Sequence, residues 1–289
     1  MTRHFFTVDV EEHFQVSAFD RVVTRDEWPG MTSRLDVSMP RLMELLARFE
    51  TRGTFFVLGW LGRHRPNVVR AIADAGHEVA SHGFGHRRVC TMTPDGFRAD
   101  VRASKQVLED IIGGPVLGFR APSFSIIPGT EWALDVLVEE GFRYDSSLFP
   151  IRRSGYGYPA APREVHVIRR PAGLLHEFPL ATTTVAGFNV PAAGGGYLRQ
   201  FPLALIRRAF REATARSSPA TFYVHPWEVD PDQPRMKTGP LTRLRHYRGL
   251  SRTLPRLERL LTEFQFTTIA SALGAERRPI PAEPARAGS

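Results

Sequence analysis

Short apolar runs alternate along this chain with longer segments in which apolar residues recur every three or four positions. The run His4–Val10 is short and mostly apolar, which predicts a buried strand. Apolar residues between positions 42 and 49 keep a helical spacing, which predicts a helix capped by Ser38 and ended by Gly53. Further strands are predicted over residues 54–58, 77–81, 116–119, 142–145, 175–179 and 221–225. Further helices are predicted over residues 66–75 and 203–215 and from residues 93 and 130 onward.

Repeated strand–helix units of this length predict an α/β fold with a parallel sheet, which leaves an open sheet and a barrel as alternatives. Several polar residues help to distinguish the two, because each lies at or near the C-terminal end of a predicted strand. These residues are Asp9, His82, Arg120, Asp145, Glu177 and His225. Functional groups gathered from many strand ends are typical of a barrel, whereas an open sheet uses the ends beside one switch point. The sequence therefore predicts an α/β barrel, and no glycine-rich phosphate-binding motif favours a nucleotide site.

Three segments of the chain differ in their patterns. Residues 1–230 carry the strand–helix alternation and form the predicted barrel. Residues 231–274 are predicted to be a C-terminal extension packed on the barrel, because they contain an amphipathic helix and then the apolar run Phe266–Ile269. The apolar face of that helix comprises Leu254, Leu257, Leu260, Leu261 and Phe264. Residues 275–289 are rich in Ala, Pro, Arg and Glu and are expected to be disordered.

The formal net charge is +8, and the basic residues are almost all arginine, since Lys105 and Lys237 are the only lysines. These cations are spread along the chain and mixed with 30 acidic residues, so no nucleic-acid partner is expected. One local cluster is the exception, and it would have to form a continuous stripe to bind nucleic acid. The cluster comprises Arg243, Arg245, Arg248 and Arg252.

Composition also limits the location of the protein. No run of 18 apolar residues is present, so no membrane span is expected. The N-terminus lacks a charged region followed by an apolar one, so we expect a cytoplasmic protein that starts at Met1. The single cysteine, Cys90, excludes an internal disulfide. The sequence leaves open whether the protein is an oligomer.

Two histidines after the predicted strand 77–81 have the spacing of metal ligands. His82 and His86 are four residues apart, which lets both imidazoles converge on one ion. Gly83 and Gly85 lie between them, so the backbone can fold closely around a centre.

Acidic residues at the end of the first strand supply the other half of such a site. Asp9 lies within an apolar run, where an unpaired carboxylate is costly, so it needs a cation such as a metal or Arg120. Glu11 and Glu12 follow it directly. Two histidines and one carboxylate, with water in an open position, are a standard catalytic zinc set. A second carboxylate can then act as the base on that water.

In these motifs the chain resembles the polysaccharide deacetylase superfamily, carbohydrate esterase family 4. The matching segments are in the family order, and they are Thr7–Glu11, Gly53–Val57, Gly76–His86, Gly118–Pro122 and Tyr223–Trp227. The extension, through Tyr247–Leu250 and Arg256–Leu261, is similar to the branch of the superfamily linked to exosortase and exopolysaccharide loci.

The resemblance implies a distorted, incomplete (β/α) barrel that removes acetyl groups from the N-acetylhexosamine units of an amino-sugar glycan. It implies zinc, or another divalent metal such as cobalt, as the cofactor. It also implies a role for each matching residue: His82 and His86 bind the metal, Asp9 is the catalytic base, Arg120 holds Asp9, and His225 is the general acid.

The end of the first strand departs from the commonest family pattern, in which two aspartates are adjacent. Here the order is Asp9, Val10, Glu11, so the metal carboxylate is either Glu11 or Glu12. Side chains alternate faces along a strand, so Glu11 points the same way as Asp9 and is the predicted ligand.

Other features of the site stay open at this point. The carboxylate that orients His225 is predicted to be Glu177, with Asp145 as the alternative. Backbone N–H groups near Ala121 are expected to face the developing oxyanion. One rival function is hydrolysis of another C–N amide bond, in a small amide or a cyclic ureide. The other is a non-catalytic glycan-binding protein, which would have lost its base or a metal ligand.

Overall fold

The computed structural model describes residues 2–153 and 155–274. The strands in these residues are β1 (His4–Val10), β2 (Thr54–Val57), β3 (Glu78–Ser81), β4 (Gly118–Phe119), β5 (Tyr144–Asp145), β6 (His166–Arg170), β7 (Gly173–Glu177), β8 (Thr182–Val185), β9 (Phe188–Pro191), β10 (Thr221–Val224) and β11 (Phe266–Thr267). The helices are α1 (Leu35–Arg48), α2 (Gly59–His64), α3 (Pro66–Asp74), α4 (Pro94–Ile112), α5 (Trp132–Glu139), α6 (Gly195–Gln200), α7 (Leu203–Ala215), α8 (Pro240–Tyr247), α9 (Thr253–Glu263) and α10 (Ile269–Ala272).

One large curved sheet organises the molecule. Its strand order is β10-β1-β2-β3-β4-β5-β7-β6, and β11 pairs with the first residues of β1. The strands from β10 to β7 run parallel to one another, and β6 is antiparallel to β7. Beyond β7 the chain returns to β10, where Leu180 forms a parallel bridge with Thr221. The predicted α/β fold with an incomplete barrel is therefore confirmed.

The first strand is buried on both faces, and its side chains alternate between two environments. Phe6, Val8 and Val10 belong to the core between the sheet and the surrounding helices. Phe5 belongs to a smaller apolar cluster of its own, which also contains residues of β2, β3 and β5. This alternation gives Thr7 and Asp9 the same face as Phe5, which is the concave face of the curved sheet.

Several elements differ from the sequence prediction. The first helix begins at Leu35 rather than at Ser38. Ser38 lies inside it and donates a hydrogen bond from Oγ to the carbonyl of Arg34 at 3.0 Å, which is how a serine is accommodated in a helix interior. The short helices α2, α6 and α8 and the hairpin β8–β9 were not predicted, because such short elements give little periodic signal.

The extension is in contact with the sheet and with the helices around it. Leu257 and Leu260 of α9 are buried in the main core, and β11 pairs with β1. The boundaries predicted for the three segments stay a prediction, and residues 275–289 lie outside the described residues. In the part of the chain that the structure describes, no helix combines the length and the apolar character needed to cross a membrane.

We expect a chain that ends at residue 230 to fold poorly or to be insoluble, because it loses β11 and exposes the core that α9 covers. Within the intact chain, Leu257→Ala is expected to lower the free energy of unfolding by about 2–5 kcal/mol, as truncation of a buried leucine usually does. Denaturant unfolding followed by circular dichroism measures both effects.

Leu241→Ala is the matched control, because Leu241 also belongs to the extension but is 58% exposed. Its substitution is expected to change the free energy of unfolding by less than about 0.5 kcal/mol. Equal stability of the intact and shortened chains would contradict this view of the extension.

Candidate active site

The loop after β3 brings the two histidines together. Gly83 has a φ of +73°, which glycine adopts readily, and His86 has a φ of +49°. Arg25 holds the turn by donating hydrogen bonds to the carbonyls of Gly85 and His86, at 2.5 and 2.9 Å. In this loop the residues with left-handed backbone are Gly83 and His86, whereas Gly85 has no positive φ. The imidazole rings of His82 and His86 lie 5.4 Å apart between centroids.

A backbone contact fixes the tautomer of His82. Its Nδ1 lies 2.8 Å from the carbonyl oxygen of Arg120, which can only accept a hydrogen bond. Nδ1 therefore carries the proton, and Nε2 keeps its lone pair free for a metal. Burial lowers the pKa of His82 to about 4, so the ring is neutral at physiological pH.

Glu11 lies beside both histidines. Its Oε2 is 2.7 Å from Nε2 of His86, and its Oε1 accepts a hydrogen bond from the indole N–H of Trp227 at 3.1 Å. Potential ligand atoms of Glu11, His82 and His86 all lie within 4.8 Å of one another, and all three residues are buried. Burial alone would raise the pKa of Glu11, but His86 and His225 outweigh it and lower the pKa to about 2. The carboxylate is therefore ionised, as a metal ligand must be.

The side chain of Glu12 lies away from the two histidines, at the start of α1. Its side chain accepts hydrogen bonds from Oγ of Ser33 and from the backbone N–H of Arg34, which is the residue before α1. Glu12 is thus tied to the start of α1, and Glu11 is the glutamate that the structure brings to the histidines.

Asp9 is held by a buried arginine. Nη1 of Arg120 lies 2.6 Å from Oδ1 of Asp9 and also donates to Oγ1 of Thr7. The same guanidinium donates to the carbonyl and hydroxyl of Ser146, at 3.0 and 2.7 Å, and lies over the ring of Phe56. Because all of these partners are fixed, the carboxylate of Asp9 has one defined position at the floor of the site.

His225 follows β10 and faces Glu11, with 3.4 Å between Nε2 and Oε1. Its Nδ1 lies 3.1 Å from Oε2 of Glu228, which also accepts the backbone N–H of His225. The other oxygen of Glu228 is 2.6 Å from Nε of Arg199. Burial alone would lower the pKa of His225, but Glu11 and Glu228 outweigh it and raise the pKa to about 9.

The predicted partner of His225 is wrong. Glu177 accepts a hydrogen bond from the backbone N–H of Leu148, and Asp145 accepts one from the hydroxyl of Ser147, so neither carboxylate serves His225. Burial and the neighbouring Asp145 raise the pKa of Glu177 well above its usual range. The buried carboxyl pair supports the segment that follows β5, whereas Glu228 orients the histidine.

The backbone N–H of Ala121 was expected to face the developing oxyanion, but the structure gives it another partner. Its backbone N–H donates to Oγ of Ser147 at 2.8 Å, so this group already has an acceptor within the protein. It is therefore not available to an oxyanion.

One cleft with a volume of about 500 Å³ is lined by Asp9, Glu11, His82, His86 and His225. The extension forms part of its wall through Thr242, Arg245 and His246. Trp227 lies between His225 and His246, with ring centroids 4.9 and 4.3 Å away and nearly parallel planes. The cleft thus combines a cluster of metal-ligand type, a paired carboxylate and a protonated histidine.

Two family models match successive parts of the chain. A model described as polysaccharide deacetylase matches residues 21–142, which include His82, His86 and Arg120. This part of the chain is therefore a polysaccharide deacetylase domain. A model described as a domain of unknown function, DUF3473, matches residues 146–274. This second segment supplies His225, Glu228 and the cleft wall from the extension.

Individual relatives match parts of the chain. A peptidoglycan deacetylase of Helicobacter pylori is 30% identical over 113 residues, which are 39% of this chain and 38% of that protein. A peptidoglycan-N-acetylglucosamine deacetylase of Bacillus cereus is 26% identical over 97 residues, which are 33% of this chain and 35% of that protein. The chain therefore spans less than two fifths of the length of either relative.

The fold is shared over nearly the whole chain with a solved structure. The crystal structure of a candidate polysaccharide deacetylase from Mycobacterium smegmatis superposes with a TM-score of 0.54 and 19% identity. The superposition covers 97% of this chain and 96% of that one. At this level of identity the likeness supports the fold.

Proposed function

We propose that this protein is a metal-dependent hydrolase that removes N-acetyl groups from N-acetylhexosamine units of a polysaccharide or glycan precursor. The observation that carries the proposal is the cluster of Glu11, His82 and His86 in one cleft with Asp9 and His225. The match of residues 21–142 to the polysaccharide deacetylase family supports it. The relatives include a peptidoglycan deacetylase, whose name indicates the same kind of reaction.

The three clustered residues fit a divalent cation. Oε2 of Glu11 and Nε2 of His86 face each other at 2.7 Å, and a neutral His82 presents a free Nε2 to the same cluster. Two imidazoles and one carboxylate are the ligand set that zinc prefers in catalytic sites, so we propose zinc. A bound divalent cation would act there as a Lewis acid towards the acetamide carbonyl.

The chain's own residues supply the proton transfers. Asp9, fixed by Arg120 through Oδ1, accepts a proton from the water whose oxygen adds to the carbonyl carbon. His225, held protonated by Glu228, then donates a proton to the sugar nitrogen as the C–N bond breaks. The products are acetate and the free amine.

The setting in the cell belongs to the same proposal. The likeness of the extension to the exosortase-linked branch supports a role in exopolysaccharide biosynthesis. The cytoplasmic location expected from the sequence stays a prediction.

Acetate release from a panel of acetylated amino-sugar oligomers tests the proposal. Small amides and cyclic ureides assayed beside them represent the rival amide hydrolase. Acetate from the oligomers alone supports the proposal. Turnover of the small amides alone, or binding of oligomers without any turnover, would contradict it.

Glu228→Gln is expected to move the basic limb of the pH profile of kcat/KM to lower pH. The acid form of His225 is the active one, so activity falls as pH rises through its pKa. Removing the negative charge beside Nδ1 lowers the pKa of His225, so the basic limb of the profile moves to lower pH. Initial rates measured between about pH 6 and 10 show the shift.

Glu177→Gln is the matched control, because Glu177 is an equally buried glutamate that does not contact His225. It is expected to leave the position of the limb unchanged. If Glu177→Gln moved the basic limb and Glu228→Gln did not, Glu177 would be the partner of His225, as predicted from the sequence.

A further inference from the structure

Two arginines in the wall of the cleft take no part in the mechanism above. Arg88 and Arg245 line the same cleft as Asp9 and Glu11. They come from distant parts of the chain, Arg88 from the segment between β3 and α4 and Arg245 from α8. Among the ion pairs formed by the described residues, neither arginine has a carboxylate partner.

Several arginines on the outer helices are instead paired with acids. Arg98 and Arg102 both pair with Glu140, and Arg211 pairs with Glu263. Such pairs neutralise the charge of the outer surface locally. A guanidinium that has no acid beside it and lies in the wall of a cleft keeps its charge available to a ligand.

Arg88 is held in place but is not fully satisfied. Its Nη2 donates a hydrogen bond to the carbonyl of Gly155, while its buried Nε has no partner among the described residues. A buried N–H group without an acceptor is costly, so the protein satisfies the donors of this guanidinium only in part. The planar fork of arginine is well suited to carboxylate, sulfate and phosphate oxygens.

The acids of the cleft do not neutralise these two arginines. Asp9 is paired with Arg120, and Glu11 is directed to the two histidines and Trp227. The third arginine in the lining, Arg199, is paired with Glu228. Arg88 and Arg245 therefore add positive charge to the wall of the cleft that contains the reacting groups.

We propose that the glycan substrate carries an acidic group close to the acetamido sugar, and that Arg88 and Arg245 bind this group. The acid is a carboxylate, a sulfate or a phosphate ester on the glycan itself. The proposal rests on the proposed deacetylation, and it narrows the substrate class to anionic amino-sugar glycans.

Oligomers of equal length test the proposal with the full chain. One contains N-acetylglucosamine alone, one alternates it with glucuronic acid, and two carry sulfate or phosphate. The measured quantity is the ratio of kcat/KM for the acidic oligomer to that for the neutral one. We expect the ratio to exceed about ten for at least one acidic oligomer at low salt and to fall as salt is added.

Arg88→Gln and Arg245→Gln are each expected to lower this ratio by about tenfold, mainly through KM for the acidic oligomer. Arg70→Gln is the matched control, because it removes the same charge from an exposed position on α3 away from the cleft. It should leave the ratio unchanged. A ratio near one in the unmodified protein, or a ratio unaffected by both cleft variants, would overturn the proposal.

Direct binding separates this proposal from the deacetylation on which it rests. Calorimetry with the Asp9→Asn variant measures the affinity for the same oligomers without turnover. Tight binding of acidic oligomers with no acetate release by the unmodified protein would leave the anion site standing and remove the deacetylation. Equal binding and equal acetate release for neutral and acidic oligomers would instead remove the anion site and leave the deacetylation standing.

Discussion

Replacing Asp9 by asparagine is expected to lower kcat for acetate release by about 10²–10⁴-fold, the range typical of losing a general base. The asparagine amide has nearly the same shape but cannot accept the proton of the attacking water at neutral pH. Zinc should still bind with a stoichiometry close to that of the unmodified protein, because the clustered ligands are Glu11, His82 and His86. Initial-rate assays and metal analysis of the purified variant measure the two effects.

The variant leaves Arg120 buried without its carboxylate, so its stability must be measured beside its activity. Asp230→Asn is the matched control, because Asp230 is also fully buried and paired with an arginine, Arg34, but does not line the cleft. It should keep most of its turnover even if it is destabilised. If Asp9→Asn lost zinc as completely as His82→Ala, Asp9 would be a ligand and not the base.

Glu11→Gln is expected to weaken zinc binding by at least about 100-fold. Changing a residue that only supports a ligand often costs 10–100-fold in affinity, and Glu11 is proposed to be a ligand itself. The substitution also removes the one carboxylate from a set that otherwise contains two imidazoles. Titration calorimetry of the metal-free protein with zinc gives the affinity.

Glu12→Gln makes the same chemical change at the neighbouring position and is the natural control. Glu12 accepts hydrogen bonds at the start of α1, so its substitution should lower stability by about 0.5–2 kcal/mol while zinc affinity stays nearly constant. Loss of zinc in Glu12→Gln with retention in Glu11→Gln would exchange the roles of the two glutamates.

The sequence carried enough information to predict the arrangement around the first strand. The apolar run 4–10 has the bounds of the strand in the structure, and the alternation of faces predicted that Asp9 and Glu11 would point to the same side. Both side chains line the cleft with His82 and His86. Short, strongly patterned elements and residues that follow them directly are predictable, because local chain geometry fixes their directions.

The partner of His225 was less accessible to sequence reasoning. Glu177 and Asp145 lie at the ends of β7 and β5, so their position predicted only that they would be at the same edge of the sheet. Which carboxylate reaches His225 depends on the turn Pro226–Val229, which returns Glu228 to the residue three positions before it. The three-residue spacing between His225 and Glu228 is the signal that could have identified Glu228. A glutamate three residues after a helix-cap residue often folds back and accepts a hydrogen bond from the cap residue.

The contributions of Arg199, Arg245 and His246 to the site depend on tertiary contacts. Arg199 donates hydrogen bonds to the carbonyls of His246 and Arg248, which joins α6 to the extension beside the cleft. No periodic pattern encodes such long-range contacts. The arginine cluster of the extension was visible in the sequence, but the position of one of its members, Arg245, at the cleft was not.

Removal and return of the metal test the central claim most directly. The protein is treated with a chelator, dialysed and assayed for acetate release from an acetylated amino-sugar oligomer, first without metal and then with zinc or cobalt. The proposed site predicts that activity disappears with the metal and returns when zinc or cobalt is added, and that His82→Ala regains none of it. Full acetate release by protein shown to be metal-free would contradict the account.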